Sequence, residues 1–419
     1  MFIIYDFVLF LFVILYLPVF LIKGKMHKGF SLRLGMLPKT LVLRRPVWIH
    51  AVSVGETIAV RGLWRRLKQE YPLKEFLIST ITPTGNKIAR RMAGDSDYII
   101  YLPLDFGFVV KKVIDKINPS IFIITETEIW PNLIAYLHRK KIPIVVVNGR
   151  ISDASYSGYL CMRFLIKPIL NKVSIFCMRS KRDADRLLSL GVSKDKIQVT
   201  GNMKFDIRDE DEKAMDYRAL LNLRADEKIF LAGSTHTGEE EIILRAYKSL
   251  LLLKPGLRLV IAPRHVERAG KIEGLIIKQG FNPTCISQLM NHEHRAPYAE
   301  AVFILDTVGN LASFYSIADV VFVGGSLINK GGHNILEPAA RGKSVLFGPY
   351  MSNFQDIADL FLENKVGIMV RDEEGLKIGA KELLDNPKET AALGEKAREL
   401  ISANQGATRL NAEQITKLI

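Results

Sequence analysis

Short apolar runs recur along most of this chain, each followed by a stretch in which apolar residues return every three or four positions. VWIHAV (47–52), FLISTI (76–81), YIIYLPL (98–104), IFIIT (121–125), IPIVVVN (142–148) and VSIFCM (173–178) read as parallel strands buried on both faces, with helices between them. A second series follows: IFLAGS (229–234), LRLVIAP (257–263), AVFILD (301–306), VVFVGG (320–325), SVLFG (344–348) and VGIMV (366–370). The pattern predicts two doubly wound α/β domains. Facing across a cleft, they would bring together the carboxyl ends of both sheets, where ligands bind in such folds. Residues 204–228 are rich in charge and read as the linker, and helical patterns over 373–384 and 387–404 close the chain.

The N-terminus breaks the pattern. FVLFLFVILYLPVFLI (7–22) is apolar throughout, and with the residues before it is barely long enough to cross a hydrocarbon core of about 30 Å. Lys23, Lys25, Lys28, Arg33, Lys39, Arg44 and Arg45 follow with no acid among them. That flank is expected to stay cytoplasmic and to attract anionic lipid, so residues 1–22 read as a signal-anchor or in-plane segment rather than a removed signal peptide.

At 419 residues the chain exceeds what one core supports, and its net charge of +14 points to an anionic partner. No RRM, zinc-finger or helix-turn-helix signature is present, which argues against nucleic acid. Cys161, Cys177 and Cys285 are odd in number and far apart, so neither a disulfide framework nor a zinc cluster is expected, and a reducing cytoplasm is the natural setting.

Candidate chemistry gathers where strands end. Residues 320–350 form a strand, loop, helix, strand unit, in which Gly324, Gly325, Gly331 and Gly332 would let a ligand approach backbone N–H groups. Asn334 stands at the predicted helix start, where an anion is favoured, and Glu337 could accept hydrogen bonds from ribose hydroxyls. Glycines that merely punctuate a turn explain this loop as well. Ser53-Val54-Gly55-Glu56 follows the first strand; Glu56 is a candidate general base, or an ordinary first-turn glutamate favoured by the helix dipole. Thr125-Glu126-Thr127-Glu128 ends the fourth run, and Glu126 lies nearer the strand. Lys204 in GNMKFD sits at the domain junction and could meet an anionic ligand. GSTHTGE (233–239), Pro263-Arg264-His265 and Asp306-Thr307-Val308-Gly309-Asn310-Leu311 end three further strands with hydroxyls, a rigidly placed arginine and free amides.

Other motifs carry less. Asp209-Glu210-Asp211 resembles a D-x-D metal pattern but lies in the acidic linker, and His292, Glu293 and His294 lack the i, i+4 histidine pair of a zinc helix. Neither a G-x-x-x-x-G-K-[ST] loop nor a G-x-G-x-x-G fingerprint occurs, which argues against ATP hydrolysis or a dinucleotide cofactor.

HAVSVGE, TPTG, TETEIWPN, GNMKFD, AGSTHTGEE, APRH, DTVGNL and FVGGSLINKGGHNILEP, in this order behind an apolar N-terminus, closely resemble the 3-deoxy-D-manno-octulosonic acid (Kdo) transferases. The resemblance implies a GT-B fold of two Rossmann-like domains with an N-terminal membrane anchor helix. The expected organisation is an anchor (1–22), a basic membrane-proximal segment (23–46), an acceptor domain (47–206), a linker (207–227) and a donor domain (228–419), with a return of the last helix to the first domain left open. It implies inverting transfer of Kdo from CMP-Kdo to the lipid A precursor, lipid IVA, at the cytoplasmic face of the inner membrane, without a bound metal or other cofactor. Anionic membrane lipid is the further partner, and a UDP-sugar transferase or epimerase is the alternative. By motif, Glu56 would be the base, with Glu126 and Lys204 supporting the transition state. Pro263, Arg264, Gly309, Asn310, Leu311, Asn334, Ile335, Leu336 and Glu337 would hold CMP, with Ile335 standing where the family frequently has proline.

Overall fold

A computed structural model describes residues 2–22, 29–94, 97–206, 215–291 and 301–419. It divides into two compact units, Met1–Asp206 with Asn404–Ile419, and Ile207–Ala403. Lys23, Lys25 and Lys28, the Asp209-Glu210-Asp211 motif and the His292 to His294 motif lie outside the described residues.

In the first unit the described strands are β1 (Val47–His50), β2 (Phe76–Thr80), β3 (Asp97–Tyr101), β4 (Ile121–Thr125), β5 (Ile144–Gly149), β6 (Ile175–Met178) and β7 (Ile197–Val199). They form one parallel sheet in the order β3-β2-β1-β4-β5-β6-β7. Val47 lies opposite both Phe76 and Ile121, so β1 has a strand on either side. Trp48, Leu77, Phe122 and Ile124 enter one core while Val47, Ile49, Ile78 and Ile123 enter another. Burial on both faces explains why these strands read as unbroken apolar runs instead of alternating ones.

The second unit repeats the plan with β8 (Lys228–Thr235), β9 (Leu257–Pro263), β10 (Asn282–Cys285), β11 (Ala301–Ile304), β12 (Val320–Val323), β13 (Val345–Phe347) and β14 (Gly367–Met369). The order is β10-β11-β9-β8-β12-β13-β14, again parallel. Chain direction across the sheet reverses between β1 and β4 in the first unit and between β8 and β12 in the second. In open α/β sheets that switch point is where the crevice for a ligand opens.

Within the supposed linker, Tyr217–Leu220 is a short helix; Tyr217 is buried against Phe314, with ring centroids 4.7 Å apart, and Leu221 is buried too. The charge around these two apolar anchors concealed them, and from Tyr217 onward the stretch belongs to the second unit. The helix Ala407–Thr416 belongs to the first unit. Ala407, Ala412 and Ile415 share a core with Val145 and Val147, and the buried Asn411 donates to Thr200 Oγ1 at 3.0 Å. Asp206 fastens the helix start by accepting from the N–H of Gly406 at 2.6 Å.

The N-terminal apolar segment is a helix, Phe2–Ile22. One face is occupied: Leu9 and Val13 pack on the first core, and Asp6 accepts from the Gly107 N–H at 3.2 Å and from Asn132 Nδ2 at 2.6 Å. Ile4, Phe7, Phe12 and Leu15 are exposed. Among the described residues no helix is long and apolar enough to cross a membrane. Arg33, read as part of a lipid-facing flank, is half-buried and donates from Nε to the Leu102 carbonyl at 3.3 Å.

Candidate active site

In the first unit the site forms at the ends of β1 and β4. Ser53 caps the helix Val54–Glu70 and its hydroxyl accepts from the Glu56 N–H at 3.4 Å. The Glu56 carboxylate turns back to the turn that precedes it, accepting from the Val52 N–H at 2.8 Å and from the Ser53 hydroxyl at 2.9 Å. This is a capping box with one extra reach, so the structural explanation for Glu56 is real. It does not account for the electrostatics. Burial, with the negative charges of Glu126 and Glu128 behind it, outweighs both hydrogen bonds and raises the Glu56 carboxyl to about 7. A carboxyl poised near neutrality at a strand end is what proton abstraction from a hydroxyl needs.

Glu126 is held in a left-handed conformation, φ 62°, that a glutamate adopts at a cost. Its N–H reaches the Val147 carbonyl at 2.9 Å, and its carboxylate is ion-paired with the buried Arg179. Arg179 in turn donates from Nε to the Asn148 carbonyl at 3.1 Å, and Asn148 Oδ1 accepts from the Met203 N–H at 3.0 Å. The polar chain from Glu126 thus ends at the amide one residue before Lys204, which lies in the 3₁₀ turn Met203–Phe205 with its N–H on Asn202 Oδ1 at 3.0 Å. Glu128 is half-buried, and its carboxyl is raised by burial and then by Glu126. At the far end of this loop, Asp105 accepts from the N–H groups of Asn132 and Leu133 at 3.0 and 2.8 Å. The structure thus brings Glu56, Glu126 and Glu128 together, and the Arg179 partner went unnoticed in the sequence. An arginine one residue past β6, at the same sheet edge, was the available signal.

The second unit distributes its polar groups otherwise than the glycine pattern suggests. Glu239, fully buried, accepts from four backbone amides: His236 at 3.0 Å, Gly325 at 2.7 Å, Ser326 at 3.0 Å and Leu327 at 3.0 Å. The Gly325 to Leu327 amides, expected to meet a ligand, are therefore filled by a carboxylate of the chain itself. Gly324 is required by closeness: a Cβ there would lie 2.8 Å from the Ser234 carbonyl oxygen and 2.9 Å from Glu239 Oε2. Gly324→Ala is expected to destabilise the second unit by about 1–3 kcal/mol, measured as a lowered unfolding temperature. Thr235 and Arg268 likewise turn inward, onto the buried Glu240, at 2.9 and 2.7 Å.

Of the residues expected to hold CMP, Pro263 ends β9, and Arg264 is exposed directly after it with its N–H on the Thr235 carbonyl at 3.0 Å. Gly309 is exposed with φ 99°, and Asn310 Nδ2 donates to Thr307 Oγ1 at 2.8 Å ahead of the helix Leu311–Ile317. Asn334 Oδ1 accepts from the Leu336 N–H at 3.1 Å and its Nδ2 donates to Glu337 Oε1 at 3.0 Å. The helix that follows, Leu336–Ala340, has five residues. Ile335 and Leu336 side chains are fully buried, leaving only their main chain for a ligand. The helices Leu311–Ile317 and Leu336–Ala340 pack side by side, and burial, then the charge of Glu337, raises the buried Tyr315 hydroxyl.

Solved structures of other proteins share this fold. A glycosyltransferase from Rickettsia africae is 16% identical, covering 90% of this chain and 99% of its own at a TM-score of 0.54. UDP-GlcNAc 2-epimerase from Neisseria meningitidis is 13% identical, covering 89% and 100% at 0.57. Residues 28–207 match the family model described as 3-deoxy-D-manno-octulosonic-acid transferase (kdotransferase). The 3-deoxy-D-manno-octulosonic acid transferase of Haemophilus influenzae is 35% identical over 86% of this chain and 84% of its own, and that of Chlamydophila psittaci 31% over 90% and 86%. A bifunctional glycosyltransferase/methyltransferase of Fusobacterium nucleatum is 40% identical over 87% of this chain, which spans 57% of that longer protein. The chain belongs to the Kdo transferase family of glycosyltransferases.

Proposed function

We propose that the chain transfers Kdo from CMP-Kdo to a hydroxyl of lipid IVA, the lipid A precursor, with inversion at the anomeric carbon. The observation that carries this reading is the carboxyl of Glu56, raised to about 7 where β1 ends beside Glu126 and Glu128. Glu56 takes the proton of the acceptor hydroxyl as its oxygen bonds to the anomeric carbon. The bond from that carbon to the phosphate oxygen breaks, and cytidylate leaves with the electron pair. Arg264 offers the growing phosphate charge a cation. Pro263, Gly309 to Leu311 and Asn334 to Glu337 hold the nucleotide. Glu126, kept in place by Arg179, stabilises the positive charge that develops at the anomeric carbon, and Lys204 neutralises an anionic group of the donor.

A donor panel tests the nucleotide. CMP is expected to raise the unfolding temperature and UDP to leave it unchanged; protection by UDP alone would replace the reading with a UDP-sugar enzyme.

The same proposal puts the protein at the cytoplasmic face of the inner membrane, held in the plane of the lipid. The first turns of the N-terminal helix are docked on the first unit through Asp6, Leu9 and Val13. Residues 14–22 extend only about 13 Å at 1.5 Å per residue, short of a core of about 30 Å. Exposed Phe7, Phe12 and Leu15 give the apolar contact, and Lys39, Arg44 and Arg45 the attraction to anionic headgroups.

A further inference from the structure

Around the ends of β8, β9 and β12, Arg264, already read as the phosphate's cation, is joined by Lys330, His265 and a pair of imidazoles that have no role so far. His236 and His333 stack with planes 5° apart, and their Nε2 atoms are 2.8 Å apart. At that separation one ring donates and the other accepts, so a single proton is shared between the facing nitrogens. The ring of His265 stands edge-on to His236 at 5.9 Å. Arg264, His265 and Lys330 are exposed, and neither Arg264 nor Lys330 meets a carboxylate within ion-pair distance among the described residues. Glu239 and Glu240, on the helix after β8, are already engaged, the first by four amides and the second by Arg268, while Glu267 stands 3.8 Å from His265 Nδ1. Glu267 faces His265, and Arg264 and Lys330 leave the corner with a net positive potential. Its effect is visible in the rings: burial, then Arg264, His236 and His265, lower His333 to about 3, and burial followed by His265, Arg268, Lys330 and Arg264 lowers His236.

We propose that His236 and His333, with Arg264 and Lys330, form an oxyanion-binding subsite for the donor's phosphate or carboxylate group. The proposal rests on the donor reading above and gives its anion specific partners. An anion needs donors that the fold has left available. The Gly325 to Leu327 amides are closed off by Glu239, so at this loop the donors left for an anion are side chains. The shared proton fixes the pair as one Nδ1–H donor and one Nδ1 acceptor, which orients an oxyanion beside a hydroxyl. Arg264 and Lys330 supply the charge. His333 also lies against Gly325, where a Cβ would come within 2.9 Å of its ring; that residue's lack of a side chain admits the histidine rather than a ligand.

The test is a calorimetric comparison of cytidine and CMP on the full-length protein, with KM for CMP-Kdo measured alongside, for the wild type, His333→Asn and the exposed Lys330→Ala. CMP binding is expected to weaken by about 10-fold to 100-fold in His333→Asn and by about 10-fold in Lys330→Ala, with cytidine binding unchanged. Unchanged CMP binding with KM raised by a like factor also supports the subsite and assigns it to the sugar carboxylate. If both variants bind CMP and use CMP-Kdo as the wild type does, the subsite is wrong although the donor reading stands. A wild type that binds UDP and not CMP overturns the donor reading, and the same variants titrated with uridine and UDP then decide the subsite.

Discussion

Glu56→Gln abolishes most transfer while leaving CMP binding intact: a fall of about 10²-fold to 10⁴-fold in kcat is expected for the loss of a positioned base. Wild-type activity should rise with pH along a limb centred near 7, because the protonated carboxyl cannot accept the hydroxyl proton, and the limb should vanish in the variant. Stability gives an independent readout. The carboxyl titrates near 7 when folded against an ordinary 4.5, so the native chain binds the proton more tightly over that interval. Its contribution is then fully present below about 4.5 and is lost as pH rises through 7. At pH 8 the glutamine variant should therefore be the more stable, by up to about 3 kcal/mol. Were Glu56 purely a structural cap, the glutamine variant would lose stability and keep the pH limb. Equal stability at pH 8 together with substantial residual transfer would remove Glu56 from the base role.

Glu239→Gln should cost the second unit about 3 kcal/mol or more, since one carboxylate oxygen facing backbone N–H groups becomes an NH₂ that has nothing to donate to. The loss would appear as an early unfolding transition in calorimetry, with protection by CMP lost at the same time, because the β12 loop and the His236 turn are held by the same side chain. Retention of the wild-type transition and of CMP protection would mean that the loop holds its shape without the buried charge.

Both sheets could be read in the sequence because parallel strands covered on two faces leave apolar runs that local pattern detects. The two strands missed are of another kind. β7 is the three-residue IQV, with Gln198 and Val199 exposed, and β10 is NPTC, whose proline suits an edge strand. Neither has enough buried positions to declare itself. At the site, Glu56 and Glu126 were legible as acids just past strand ends. The destination of the glycine-loop amides was not, because Glu239 meets Gly325 across 86 positions. A glycine-rich turn looks the same in sequence whether its N–H groups await a phosphate or already hold a carboxylate. The pairing of Glu126 with Arg179 spans 53 positions and depends on β4 and β6 both flanking β5.

The whole account turns on transfer of one sugar acid to one kind of acceptor, and mass spectrometry of the lipid product tests it most directly. Incubated with CMP-Kdo and lipid IVA, the wild-type protein should yield a lipid heavier by whole Kdo units with a matching release of CMP, and Glu56→Gln should yield neither. An unchanged lipid mass in the presence of bound CMP-Kdo, or a mass gain only when a UDP-sugar replaces it, would contradict the account.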